Sequence, residues 1–245
     1  MEKIIHYCWF GPKPLPKLAK KCIKSWEKYL PDYKIIKWSE DNVDLFENQF
    51  IKSAYENKKW AFVADYVRTK VLYEMGGIYL DTDMEIIKPI DQLLDTDFVI
   101  GVEDSGYIAA GIIISKEKKN KYLKKMLDLY KTMKIEENMD FFQISIPKIL
   151  SRIFKDEYDI KNANFIQTNK DKSLKIYPRE YFYPLSYDRQ NNIFTNNTYT
   201  IHYYDASWVN NAEKITLWLK RHKLDFVTKY VYSISRRLKK FKKTV

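Results

Sequence analysis

Residues 60–84, WAFVADYVRTKVLYEMGGIYLDTDM, constrain this chain more than any other stretch of it. Ala, Val, Leu and Arg without a breaker predict a helix that runs to Met75. Gly76-Gly77 supplies a glycine in the left-handed region to stop it. Ile78-Tyr79-Leu80 then reads as a short buried strand. Asp81 and Asp83 follow with one residue between them, and side chains at i and i+2 of a strand point the same way. Both carboxylates are therefore expected to face one site. Two convergent carboxylates repel unless a cation joins them. A divalent ion that favours oxygen ligands, Mn²⁺ or Mg²⁺, suits such a pair and brings phosphates with it. Asp-x-Asp also occurs as a solvated turn. Asp65 and Arg68, three apart on one helix face, also read as a surface ion pair. The apolar residues on both sides of that pair argue for burial.

Further elements alternate along the chain. Residues 3–10 and 33–38 read as strands, with an amphipathic helix over 17–29 carrying Leu18, Cys22, Trp26 and Tyr29 on one face. A helix is expected over 44–57, strands over 98–102 and 107–115, and a charged surface helix over 116–133. Residues 141–154 read as a helix that Pro147 kinks, 175–184 as an extended aromatic stretch, and 198–204 as a late strand. Strands alternating with helices predict an α/β sheet that is at least partly parallel. Ligands of such sheets bind beyond the strand carboxyl ends, where Asp81 and Asp83 would lie.

Composition narrows the class. At 45% hydrophobic and 16% aromatic residues, the chain is globular rather than disordered. It has no run of about 18 apolar residues and no visible signal peptide. Cys8 and Cys22 are expected as two reduced core thiols, which fits a cytoplasmic chain. The net charge of +11 is uneven. Residues 214–245 hold eleven Lys and Arg against one acid, Asp225, which leaves about +1 for residues 1–213. Two parts are expected, a folded body over 1–213 and a basic helical tail over 214–245. In the tail, Phe226, Val227, Tyr230, Val231, Ile234, Leu238 and Phe241 recur at helical spacing among basic residues. Such a helix can lie on an anionic membrane surface, or pack on the body with its charged face solvated. A basic module that binds nucleic acid through this tail is the alternative of another class. That alternative has no use for Asp81 and Asp83, and no nucleic acid is expected.

An ordered set of short pieces resembles a known family. The pieces are Ile4-Ile5-His6-Tyr7-Cys8-Trp9-Phe10-Gly11, Ser25-Trp26, Pro31-Asp32-Tyr33, Ile36-Lys37-Trp38, the run from Trp60 to Arg68, the run from Gly76 to Asp83, Ile201-His202 and Ser207-Trp208. Together they resemble the glycosyltransferases carrying the DXD sugar-binding region, family 32, of capsule and lipopolysaccharide synthesis. More distantly, they resemble the glucosyltransferase domains of the large clostridial toxins.

The resemblance implies the type A glycosyltransferase fold, a Rossmann-like mixed sheet that binds a nucleotide sugar. It implies a UDP- or GDP-linked donor, a glycan acceptor of which lipid-linked glycans are one class, and retention of anomeric configuration. It gives Asp83 as a direct metal ligand and Asp81 as a contact to ribose, sugar or metal-bound water. His202 is expected as the third ligand, with Asp205 as its runner-up. Imidazole tilts the choice of ion toward Mn²⁺. Ser207 and Trp208 match positions that touch metal or diphosphate, and Trp9 a ring that stacks on the base. Asp65 and Arg68 would grip donor-sugar hydroxyls, and Tyr79 would line the nucleotide pocket. His6 and Cys8 are expected to serve packing or backbone contacts. The sequence shows no clear carboxylate for a covalent intermediate, Glu103 and Asp104 in a loop after a strand being the candidates. The resemblance implies reaction on one face of the sugar without a protein nucleophile. One departure stands out: Ala109-Ala110 occupy a stretch where many relatives carry an amide. The implied setting is a cytoplasmic enzyme held peripherally on the inner face of the membrane through 226–245.

Overall fold

In the computed structural model, residues 1–136, 144–205 and 211–224 are described. The chain begins with a β-α-β unit: β1 (Ile4–Cys8), α1 (Lys17–Tyr29) and β2 (Lys34–Trp38). The two strands pair in parallel with Ile4 opposite Lys34 and Cys8 opposite Trp38. α1 buries Ala19, Cys22, Ser25 and Trp26, the expected stripe, with Leu18 and Tyr29 at its edge. α2 (Gln49–Glu56) starts later than its apolar pattern suggests. Asn48 is extended, and its side chain accepts from the N–H groups of Phe50 and Ile51, which sets the first turn there.

α3 (Trp60–Met75) leads into β3 (Gly77–Leu80) through Gly76. Gly76 has φ 69° and ψ −163°. That is the extended positive-φ region that is essentially reserved for glycine, and not the left-handed helical cap expected from the sequence. Gly77 has φ 99°, and a Cβ there would fall 2.7 Å from the Ile4 carbonyl oxygen. Strand β1 thus lies against a bare backbone.

β4 (Met84–Ile86), β5 (Phe98–Val102) and β6 (Ile108–Ser115) follow. Next come α4 (Lys121–Lys131) and α5 (Ile146–Ile153). Asn120 caps α4, so the charged residues before it lie outside the helix. Pro147 sits in the first turn of α5, where a missing N–H costs nothing, so there is no kink. The expected residues 141–143 of that helix lie outside the described residues. β7 (Gln167–Thr168) and β8 (Leu174–Tyr177) are followed by a short α6 (Arg179–Phe182) where an extended stretch was expected. Pro178 is extended and, with no N–H of its own to place, leads into that turn. β9 (Thr200–His202) and α7 (Asn211–Arg221) complete the described chain.

Seven strands form one sheet in the order β2-β1-β3-β6-β5-β8-β7, and β4 and β9 form a separate pair. The sheet is mixed. β2, β1 and β3 run parallel, as do β5 and β8, while β6 is antiparallel to both of its neighbours. Both faces are covered, and the strand pleat divides β3 between them. Tyr79 enters the core under α2–α5, and Ile78 and Leu80 enter the core under α1 and β4. β6 is buried along its whole length, as the apolar run 108–114 suggested. Cys8 and Cys22 are free and buried. No described helix is long and apolar enough to cross a membrane.

Candidate active site

The Asp81-Thr82-Asp83 segment is a turn, not the end of the strand. β3 stops at Leu80, and Met84 N–H donates back to the Asp81 carbonyl at 2.9 Å. The two carboxylates therefore converge because the chain reverses between β3 and β4, and not through the strand pleat expected from their spacing. Asp81 is anchored at its own N–H, which donates to the Gly111 carbonyl of β6 at 2.8 Å.

His202 reaches this turn through strand register. β9 pairs antiparallel with β4, with His202 opposite Met84. Its Nε2 then lies 3.2 Å from Asp83 Oδ1. Two backbone N–H groups beyond it also hold Asp83. Tyr203 N–H donates to the Asp83 carbonyl at 3.0 Å, and Asp205 N–H to Asp83 Oδ2 at 2.8 Å. Asp205, exposed, thus contributes through its backbone. Asp81, Asp83 and His202 each present a ligand atom, all within 4.8 Å of one another.

The charges in this cluster respond to one another. Burial alone would raise the Asp83 carboxyl, but the His202 charge and hydrogen bonds from His202 and Asp205 outweigh it and hold the carboxyl below its usual range. Burial alone would lower His202, but Asp83, then Asp81 and Glu103, draw it upward. Two carboxylates and an imidazole form a donor set suited to a divalent first-row ion. The His202–Asp83 separation of 3.2 Å is close to the roughly 3 Å between adjacent ligands of an octahedral ion with bonds of about 2.1 Å. His202 Nδ1 is buried and has no hydrogen-bond partner among the described residues.

Behind Asp81 lies a second layer. Arg68 is buried on α3, and its Nη2 lies 3.0 Å from Asp65 Oδ1 and 3.2 Å from Asp81 Oδ1. Its Nη1 donates to the Ala110 carbonyl of β6 at 2.8 Å. The guanidinium lies over the Tyr79 ring at 4.6 Å, and the Tyr79 hydroxyl donates to Asp81 Oδ1 at 3.0 Å. One oxygen of Asp81 is thus held by Arg68 and Tyr79. Burial raises the Asp65 carboxyl to about 6, against the pull of Arg68. The Asp65–Arg68 pair is a buried support of the site rather than surface decoration. Ala110, at the departure from the family's amide, serves through its backbone.

The other expected residues are placed as follows. Trp9, just beyond β1, is partly buried, and its indole N–H donates to the Lys13 carbonyl at 2.6 Å. His6 is buried between Gly76 and Trp38, and Cys8 is buried beside Ala64. Glu103 is partly buried beyond β5, where burial raises its carboxyl and Ser105 donates to it. Asp104 accepts from Tyr187 N–H at 3.1 Å. Ser207 and Trp208 lie outside the described residues. Sequence reasoning did not single out Arg189 and Arg221, whose side chains meet the turn after His202. Isolated arginines far apart in sequence carry no motif that could have flagged them.

Comparison with known proteins agrees with this geometry. Residues 16–99 match the family described as glycosyltransferase sugar-binding region containing DXD motif, a span that includes α3, Asp81 and Asp83. Lactosylceramide 4-alpha-galactosyltransferase of Mus musculus is 25% identical over 161 residues, 63% of this chain and 42% of that protein. Inositol phosphoceramide mannosyltransferase 3 of Schizosaccharomyces pombe is 31% identical over 98 residues, 38% of this chain and 27% of that protein. The chain thus spans less than half the length of these curated relatives. Among solved structures, the PaToxG glycosyltransferase superposes with a TM-score of 0.52 at 20% identity, over 66% of this chain and 73% of that one. The mixed sheet with flanking helices is the type A glycosyltransferase fold. Segment 16–99, with the convergent Asp81 and Asp83, is thus similar to the glycosyltransferase sugar-binding regions that contain a DXD motif.

Proposed function

We propose that the chain transfers a hexose from a nucleotide-sugar donor to a glycan acceptor, with retention of configuration. The observation that carries this reading is the meeting of the ligand atoms of Asp81, Asp83 and His202 within 4.8 Å, and the match of residues 16–99 to a region that contains a DXD motif supports it. These three residues would hold a divalent ion, Mn²⁺ in preference to Mg²⁺ because one donor is imidazole. When bound, such an ion supplies Lewis-acid stabilisation of charge on a diphosphate leaving group. The chain's own residues do the rest. Asp83 is fixed by two backbone N–H groups and His202. Asp81 is fixed on one side by Arg68 and Tyr79, which leaves its other oxygen for ligand. Asp65 and Arg68 meet donor-sugar hydroxyls, and Trp9, held by Lys13, stacks on a UDP or GDP base. Ser207 and Trp208 would close on the diphosphate.

In this reading, 1–213 is the catalytic body and the tail attaches it to an anionic membrane. α7 (Asn211–Arg221) crosses that boundary. The residues of the tail's apolar face lie outside the described residues. The names of the two relatives specify ceramide-borne substrates, which supports a lipid-linked acceptor. Cell-surface polysaccharide synthesis at the cytoplasmic face is the setting this implies.

A panel of UDP- and GDP-sugars with Mn²⁺, scored for slow donor hydrolysis in the absence of acceptor, tests the reading. One donor is expected to be turned over in a metal-dependent way, with the released sugar first appearing in the donor's anomeric form by NMR. Turnover of none of them, with or without Mn²⁺, would refute it.

A further inference from the structure

Two arginines converge on the turn that follows His202. Arg189 Nη2 donates to the Tyr203 carbonyl. Arg221, at the end of α7, donates from Nη2 to the Tyr204 carbonyl at 2.8 Å and from Nε to the Tyr187 carbonyl at 3.1 Å. The same turn rests on Asp83 through Tyr203 N–H. Both guanidiniums therefore stand on the His202 side of the candidate metal centre.

Their hydrogen-bonding capacity is largely unspent. A guanidinium has five N–H donors and no acceptor. Among the described residues, Arg189 gives one hydrogen bond, and its Nη1 is buried with no partner. Neither arginine forms an ion pair among the described residues, whereas Arg68 forms two. Burial lowers both guanidiniums from their usual range, and the Arg221 charge lowers Arg189 further, while Asp83 opposes the shift in both. Clamping the Tyr203–Tyr204 backbone needs one bond from each and explains neither the buried free N–H nor the missing carboxylate. Two partly buried like charges near each other call for an anion that can accept from both. A phosphate group, with several acceptor oxygens, matches the planar guanidinium fork.

We propose that Arg189 and Arg221 form a phosphate-receiving pair on the His202 side of the Asp81–Asp83 centre. The identity of the ligand rests on the glycosyl-transfer reading, while the phosphate chemistry does not. Two sources fit: the diphosphate of a nucleotide, or a phosphate carried by a second ligand such as the acceptor.

The test is calorimetric titration of the full chain with sodium pyrophosphate in the absence of divalent metal. Wild type is expected to bind, and Arg189→Gln/Arg221→Gln to bind at least tenfold more weakly, with circular dichroism melting as the check on folding. Arg189→Lys/Arg221→Lys keeps the charge without the fork and should fall between them. Where the double glutamine variant does not fold, Arg189→Gln alone decides, with an expected loss of threefold or more. No binding by wild type, or wild-type affinity in the folded variant, overturns the proposal. Titration with UDP and GDP plus Mn²⁺ separates the sources. A parallel loss in the double variant places the nucleotide diphosphate on the pair, whereas unchanged nucleotide affinity with lost pyrophosphate binding places a second ligand's phosphate there. Pyrophosphate binding with no sugar-nucleotide turnover would refute the transferase reading and leave the arginine pair standing. Turnover without pyrophosphate binding would do the reverse.

Discussion

Arg68 Nη2 lies 3.2 Å from Asp81 Oδ1, so the helix before the glycine stop holds the first aspartate of the motif after it. Arg68 is buried and also pairs with the buried Asp65, so one guanidinium joins two carboxylates. Arg68→Met removes one partner and strands Asp65. Breaking a buried pair in this way costs about 3–5 kcal/mol. Arg68→Met/Asp65→Leu replaces both charges with apolar groups and should regain most of that loss in chemical denaturation. Turnover should stay depressed in both variants, because Asp81 has lost its orienting cation in each. Wild-type turnover in the refolded double variant would show that the pair serves stability alone.

The centre formed by Asp81, Asp83 and His202 predicts metal-linked stability as well as metal-linked activity. Mn²⁺ at a hundred times its dissociation constant should stabilise wild type by about 2.7 kcal/mol. Asp83→Asn should abolish that rise in melting temperature, and should lower turnover about a hundredfold or more. His202→Ala should raise the Mn²⁺ requirement without abolishing binding, since an exchange of imidazole for water leaves the two carboxylates in place. A melting temperature that ignores Mn²⁺ in wild type, or full turnover by Asp83→Asn in EDTA, would remove the metal from the site.

The parts of this site differ in how legible they are from sequence, for physical reasons. α3, the strand β3 and the nearness of Asp81 to Asp83 follow from local pattern, because periodicity and breakers act over a few residues. The reason for that nearness was misread. A turn and a strand end give the same Asp-x-Asp spacing, and only the Met84–Asp81 hydrogen bond separates them. β4 was missed because three residues carry no period, and its role appears only when β9 pairs with it. His202 entered through a family resemblance, since a lone histidine has no local signal. The hold of the Ala110 carbonyl on Arg68 was invisible for a different cause: any residue at 110 supplies a carbonyl, so side-chain identity cannot reveal it. The same holds for the backbone contacts of Arg189 and Arg221.

Gly76 gives a test of backbone geometry alone. With φ 69° and ψ −163° it occupies a region that other residues enter only at a cost of about 1–3 kcal/mol. Gly76→Ala should lose stability on that scale. Gly76→Asn is the informative partner. Asparagine tolerates the left-handed helical region, so it would rescue a conventional glycine cap. Here it should be as damaging as alanine. An asparagine variant as stable as wild type in urea denaturation would mean that the helix ends in the left-handed region after all.

His6 predicts a particular loss of stability in acid. Trp38 Nε1 donates to His6 Nδ1 at 3.1 Å, and an indole N–H can only donate. Nδ1 is therefore the acceptor, and the proton sits on Nε2, which donates to the Gly76 carbonyl at 2.9 Å. Both ring nitrogens are satisfied in the neutral form, and a second proton would displace the Trp38 bond. Burial lowers the His6 pKa from 6.5, with the Gly76 bond only partly opposing. Between the lowered value and 6.5 the unfolded chain binds the extra proton and the folded chain does not, so stability rises with pH in that window. The contribution is fully present above 6.5 and declines as the solution is acidified, by up to about 1.4 kcal/mol per pH unit. His6→Gln removes the titration, and the difference between the two proteins cancels the opposing contributions of Asp83 and His202. Urea denaturation of both from pH 7.5 to 5 should show wild type losing its advantage steadily below 6.5. Parallel curves across that range would mean that His6 takes up a proton in the folded state as readily as in the unfolded one.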